Sequence, residues 1–230
     1  DHWTDERIAT NADDIAFLAE YQPALKFSPG EKFEYCNTGY MLLASVIEKV
    51  SSHQYEDFMR ERIFEPLKML HTRVCRSDIH AKIPDLAEPY AFDYADGVFV
   101  PTAQYPSYQK QVSMLEGSYG DGGIFSCSSD MFKWDQALKT EKLIKKETLR
   151  EAFENGTLGD GSPIAPIGYG FGWFLPNDPV NGKIVQHTGG WPGCRQAFIR
   201  YLDKDRTILV LRNNEIGFVS IQRAIENILD

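Results

Sequence analysis

Residues 183–214 read KIVQHTGGWPGCRQAFIRYLDKDRTILVLRNN. Three strands are predicted here: KIVQHTGG, RQAFIRYL and RTILVLRNN. The first turns at Pro192-Gly193, and the last two are joined by the short polar turn Asp203-Lys204-Asp205. AFIRYL and TILVL are apolar on nearly every residue, not on alternate ones. Such strands are covered on both faces, so an antiparallel sheet with helices on both sides is expected.

The rest of the chain fits around that sheet. GYGFGWFL reads as a further strand, and an apolar stripe of Ile221, Ile225, Ile228 and Leu229 predicts a closing helix over about 218–229. Upstream, Thr10 or Asn11 is expected to cap a helix to about Glu20, with Ile15, Leu18 and Ala19 on one face. Residues 38–50 give the clearest helix, through Tyr40, Leu43, Ala44 and Ile47. Another is expected over 54–64, ended by Pro66. Residues 76–120 contain Pro84, Pro89, Pro101 and Pro106 and predict a long irregular excursion with short strands. In GDGGIFSCSSDMFKWDQAL the glycines predict a tight turn, and Ser128 or Ser129 a cap for a helix to about Leu138; KKETLREAFEN predicts one more short helix. The fold class is α+β, with residues 1–150 mostly helical or irregular and residues 165–230 forming the sheet and closing helix. No internal repeat or low-complexity tract interrupts it.

The chain of 230 residues is 43% hydrophobic and 25% charged, the balance of a globular protein. A net charge of −9 argues against nucleic acid or an anionic membrane as main partner, since both need a basic face. Cys36, Cys75, Cys127 and Cys194 are scattered and form no C-x-x-C pair, which favours buried thiols over disulfides. The five histidines show no metal-binding spacing, so neither metal nor other cofactor is expected. No signal peptide is visible, but the chain starts at Asp1 without an initiator Met, so the start of the gene product is expected to be missing.

Two short motifs carry candidate chemistry. In EYCNTGY, Tyr35 and Asn37 stand two apart at the front of the clearest helix, where Asn37 could also serve simply as its cap. In KIVQHTGGWPG a strand ends in His187-Thr188-Gly189-Gly190, offering a switchable charge, a hydroxyl and backbone that a ligand can approach closely. That suits an edge strand whose N–H groups donate to a substrate carbonyl. The plainer alternative is a solvated histidine at a strand end, with glycines that serve the turn. Each motif is weak alone.

Together they resemble the serine β-lactamase and penicillin-binding-protein superfamily, most closely its class C-like branch with DD-peptidases and esterases. That superfamily is identified by Ser-x-x-Lys, then Tyr-x-Asn, then Lys-Thr-Gly or His-Thr-Gly. Tyr35-Cys36-Asn37 and His187-Thr188-Gly189 match the second and third elements in order. The resemblance runs from about residue 24 to the end. It implies a serine hydrolase that forms an acyl-enzyme on a small-molecule or peptide substrate. Tyr35 would pass protons, Asn37 would bond the substrate amide, His187 would hold a substrate carboxylate, and the Gly190 N–H would join the oxyanion hole. An ordinary phenol ionises near ~10, so the tyrosine role needs neighbouring cations. An ordinary imidazole is mostly neutral at pH 7, so histidine in place of lysine points towards a peptidase or esterase. A periplasmic or extracellular location follows from the resemblance only.

The first element is not where the family has it. Only 34 residues precede Tyr35, and none spell Ser-x-x-Lys. The literal match Ser107-Tyr108-Gln109-Lys110 lies after Tyr-x-Asn, in the stretch expected to be irregular, and is set aside as nucleophile. Glu116-Gly117-Ser118-Tyr119-Gly120 lacks the first glycine of a nucleophile elbow. The chain is therefore expected to be the C-terminal portion of one β-lactamase-like domain, inactive alone and partnered by a complementing N-terminal segment or a second copy. The alternative is a non-catalytic domain of the same fold that binds peptidoglycan-like or acyl ligands.

Overall fold

Helix α1 (Asn11–Tyr21) starts from Thr10, whose hydroxyl accepts from the Asp13 N–H while the Asp13 carboxylate accepts from the Thr10 N–H. This reciprocal pair satisfies two N–H groups that the first turn would otherwise leave open. Residues 8–75, 83–217 and 219–229 are described by the computed structural model. They group into two compact units: Asp1–Ala24 with Tyr35–Lys133, and Leu25–Glu34 with Trp134–Asp230.

In the first unit Asn11 is the only fully buried residue of α1. Its amide donates to the carbonyls of Met41 and Tyr119, and its Oδ1 accepts from the Tyr119 N–H at 3.0 Å. The expected apolar face is not buried: Ile15 and Ala19 are exposed and Leu18 only half-buried. Helix α2 (Asn37–Ser51) shows a similar shift. Its buried residues are Met41 and Ala44, whereas Leu43 is 55% exposed. The cause is the loop at Gly120, which sits at φ +105° so close that a Cβ there would meet Ala44 Cβ and the Tyr40 carbonyl at 2.6 Å.

The helix expected over 54–64 forms as α3 (Tyr55–Met59) running into a π-helical turn over Arg60–Phe64. Strands β1 (Arg73–Val74), β2 (Tyr90–Asp93) and β3 (Val98–Pro101) follow, with β2 and β3 making a hairpin. The excursion is less irregular than expected, because helix α4 spans Pro106–Leu115, with proline in the first turn where its missing N–H costs nothing. The part of that expectation over residues 76–82 lies outside the described residues. Strand β4 (Ile124–Phe125) pairs with β1, and α5 covers Ser128–Ala137. Asp130 of α5 has no exposed surface. It accepts from the His71 N–H, the Thr72 hydroxyl and Lys133 Nζ at 2.7–2.9 Å. Burial would raise its pKa, but Lys133 and the other two donors bring it below the ordinary carboxylate range.

In the second unit α6 (Lys146–Ala152) precedes the sheet. GYGFGWFL is not one strand: β5 (Gly168–Tyr169) and β6 (Phe174–Leu175) pair across a tight turn that the glycines permit. Strand β7 (Asn177–Asp178) is followed by the long strands β8 (Gly182–Trp191), β9 (Cys194–Tyr201) and β10 (Arg206–Arg212). All pairings are antiparallel, in the order β10-β9-β8-β6-β5. The closing helix α7 covers Val219–Leu229.

Both faces of the sheet are covered, as the unbroken apolar runs require. Ile184, Ala197, Ile199, Tyr201, Ile208 and Val210 form one core, with Ile225 of α7 against it. Val185 packs with Ala152 and Phe153 on the other side. Strand β10 ends the sheet among the described residues, with Leu211 41% exposed; Ile228 of α7 is 82% exposed.

Candidate active site

Tyr35 and Asn37 belong to the first unit and His187–Gly190 to the second. The geometry at each motif is local.

The helix cap is Cys36, not Asn37, and no side chain bonds into that cap. Asn37 is the first helical residue, and its side chain is exposed with no hydrogen bond among the described residues. The capping explanation of Asn37 therefore fails. The Tyr35 ring stacks on Tyr40, one turn into α2, at 6.0 Å and 29°. Burial raises the Tyr35 pKa, and Tyr40, Asp121 and Cys36 raise it further by repelling the phenolate.

The loop carrying Asp121 is pinned from several directions. The Ser118 hydroxyl donates to Asp14, and Tyr119 OH donates to Glu48 at 2.8 Å. Tyr55 and Tyr119 stack at 5.3 Å. Asp121 itself is held above the usual carboxylate range by burial and by Asp14. Neither Asp121 nor Asp130 was singled out from sequence. Their motif, GDGGIFSCSSD, reads locally as a turn and a cap, and the bonds from residues 71 and 72 span more than 50 positions.

Ser107 and Lys110 differ from expectation. They lie in the first turns of α4, so the serine does stand at a helix N-terminus with the lysine three residues on. Both are exposed, and the Ser107 hydroxyl bonds to no described group. A serine without a base in reach is not activated.

On the second unit, His187 pairs with Phe198, Thr188 with Ala197, Gly189 with Gln196 and Gly190 with Arg195. Strand β6 meets β8 only at Gln186 and β7 only at Gly182 and Lys183. Among the described residues no strand lies beside Thr188–Gly190 on the side away from β9. Thr188–Gly190 thus form an open stretch of sheet edge among the described residues. His187 Nδ1 is 2.8 Å from the Thr188 carbonyl, which can only accept, so this ring nitrogen donates. The ring lies 5.3 Å from Phe174. Pro192-Gly193 turns the chain into β9, with Gly193 at φ +73° as the turn requires. Arg195 Nη1 closes the turn on the Trp191 and Cys194 carbonyls.

The four cysteines are free thiols, with only Cys75 buried and Cys36 exposed. Among the described residues no helix is long and apolar enough to cross a membrane.

A profile of the Beta-lactamase family matches residues 3–230. The chain belongs to the Beta-lactamase family. Members of this family are serine hydrolases, and the mixed helix and antiparallel-sheet fold is theirs. Among curated relatives, penicillin-binding protein 4* of Bacillus subtilis (strain 168) is 39% identical over 93% of this chain and 47% of its own length. The D-aminopeptidase of Brucella canis is 28% identical over 82% of this chain and 33% of its own. Among solved structures, the octameric penicillin-binding protein homologue from Pyrococcus abyssi superposes with a TM-score of 0.75 at 27% identity, over 94% of this chain and 46% of that one. The chain spans about half the length, or less, of these Beta-lactamase family relatives.

Proposed function

We propose that this chain supplies the Tyr-x-Asn and His-Thr-Gly elements of a class C-like serine hydrolase whose nucleophile lies outside these 230 residues. The reaction class is acyl transfer through an acyl-enzyme on an amide, ester or β-lactam carbonyl. Tyr35 passes the proton between nucleophile, leaving group and water. Asn37 bonds the substrate amide. His187 and Thr188 hold a substrate carboxylate, and Gly189 and Gly190 present backbone to the acyl group. The observation that carries this reading is the Asn37 side chain, exposed and unspent on capping at the mouth of α2. A peptidase or esterase is preferred to a dedicated β-lactamase because histidine stands where lysine would give a permanent charge.

The test uses a longer protein that carries Ser-x-x-Lys ahead of this chain. Tyr35→Phe is expected to lower kcat by about 10²–10⁴-fold, the usual worth of a positioned proton carrier. Asn37→Ala is expected to lower kcat/KM for amides more than for esters. Retention of full kcat by Tyr35→Phe would sink the assignment of Tyr35. Hydrolysis of cephalosporins far faster than of D-amino-acid peptides or esters would sink the substrate preference. Saturable ligand binding without any turnover would establish the non-catalytic alternative instead.

A further inference from the structure

Arg200 is 5% exposed and lies on β9 on the face opposite Ile199 and Tyr201. Only its Nε is committed, donating to Asp135 Oδ1 at 2.9 Å. Asp135 is already shared: the Thr207 hydroxyl also donates to Oδ1 at 2.6 Å, and Gln136 to Oδ2 at 2.9 Å. The guanidinium sits 5.8 Å above the Phe153 ring, which fixes its plane. The two terminal nitrogens, Nη1 and Nη2, donate to no described group. Yet no buried side-chain nitrogen or oxygen is left without a partner. The terminal nitrogens therefore reach solvent, and the opening beside them is a cleft of about 200 Å³ that Arg200 lines with Lys139, Arg206, Thr207 and Asp205.

Lys139 and Arg200 bring two cations to the cleft, with Asp205 beside Lys139 and Asp135 behind Arg200. Asp205 has an 80% exposed side chain and takes only one of the three Lys139 donors, at 2.6 Å. A buried arginine that presents two N–H groups in a fixed fork matches the paired oxygens of a carboxylate or phosphate. The cleft lies at the β9–β10 turn. His187–Gly190 lie towards the β8–β9 turn, and Arg200 is three residues along β9 from the partner of Thr188, about 10 Å away.

We propose that this cleft is a binding site for a small oxyanion, gripped by Arg200 Nη1 and Nη2 and by Lys139. Nothing in the hydrolase reading requires it. It is a second site, and it stands whether or not that reading does.

The test is thermal unfolding of the chain in rising phosphate or acetate, with sodium chloride added to hold ionic strength constant. A ligand of the native state raises the midpoint in a saturable way. The expected result is saturation with phosphate, acetate or both, the two arms telling a tetrahedral anion from a planar carboxylate. Lys139→Ala, a change at a part-exposed side chain, is expected to weaken the apparent affinity at least fivefold. Arg200→Lys, which keeps the charge but loses the fork, is expected to weaken it further. Lys146→Ala, an exposed lysine of α6, is expected to leave it unchanged. A rise no greater than in chloride for both anions would overturn the site. So would an equal response from wild type and Lys139→Ala, or an equal loss in Lys146→Ala.

Discussion

The three long strands of the second unit and helix α2 of the first are both rich in apolar residues, but they dispose of them differently. In β8–β10 the residues alternate between two covered faces, and Val185 and Ile199 are fully buried. In α2 one face is held by Asn11 and the Gly120 loop. Leu43, Val46 and Val50, at i, i+3 and i+7, are 55%, 53% and 77% exposed. An unbroken apolar strand states that both faces need cover, whereas a helical stripe states only that something covers it. Which face of α2 is buried was decided by a buried asparagine and a glycine, neither of which belongs to the stripe.

The sharpest way to break the comparison is in the sheet. Ile199→Ala removes a fully buried side chain between β8, β10 and α7 and should cost about 4 kcal/mol, read from denaturant unfolding. A loss below about 1 kcal/mol would mean that the sheet is not the rigid part. Asp130→Ala strips the partners of Thr72, the His71 N–H and Lys133 and should cost about 3 kcal/mol by the same measurement.

Alkaline titration gives a smaller effect. Tyr201 is pushed up to about 12 by burial and by its hydrogen bond to Glu226. Its folded pKa lies above the ordinary value near ~10. Its contribution is therefore complete below pH 10 and is lost as pH rises towards 12. The unfolding midpoint should fall over that window in wild type and fall less in Tyr201→Phe. The smallest effect is expected on α2. Leu43→Ser with Val50→Ser should move stability by no more than about 0.5 kcal/mol per site, since both side chains are exposed. The same pair should reduce self-association in sedimentation, and a large destabilisation would show that this face is covered.

The legible parts of the sequence were those set by local pattern. The strands of RQAFIRYL and RTILVLRNN, the turn at Asp203–Asp205 and the closing helix all emerged near their expected bounds. Helix α4 was missed because Pro106 reads as a breaker, although proline in a first helical turn is a start signal. The split of GYGFGWFL into a hairpin was missed because its aromatic residues outweighed its glycines. At the candidate site, Tyr35, Asn37 and His187–Gly190 were visible as motifs. Asp121, Asp130 and Asn11 were not, because their partners lie more than 50 residues away or on another helix. The acidic surroundings of Tyr35 are likewise a tertiary property.

The central claim is that the chain carries two elements of a serine hydrolase and not its nucleophile. Intact-mass spectrometry after incubation with benzylpenicillin and with a fluorophosphonate tests it most directly. The chain should remain a single species at 26.2 kDa with neither reagent attached. A stoichiometric adduct mapped to Ser107, abolished by Ser107→Ala, would place the nucleophile within these residues and contradict the claim.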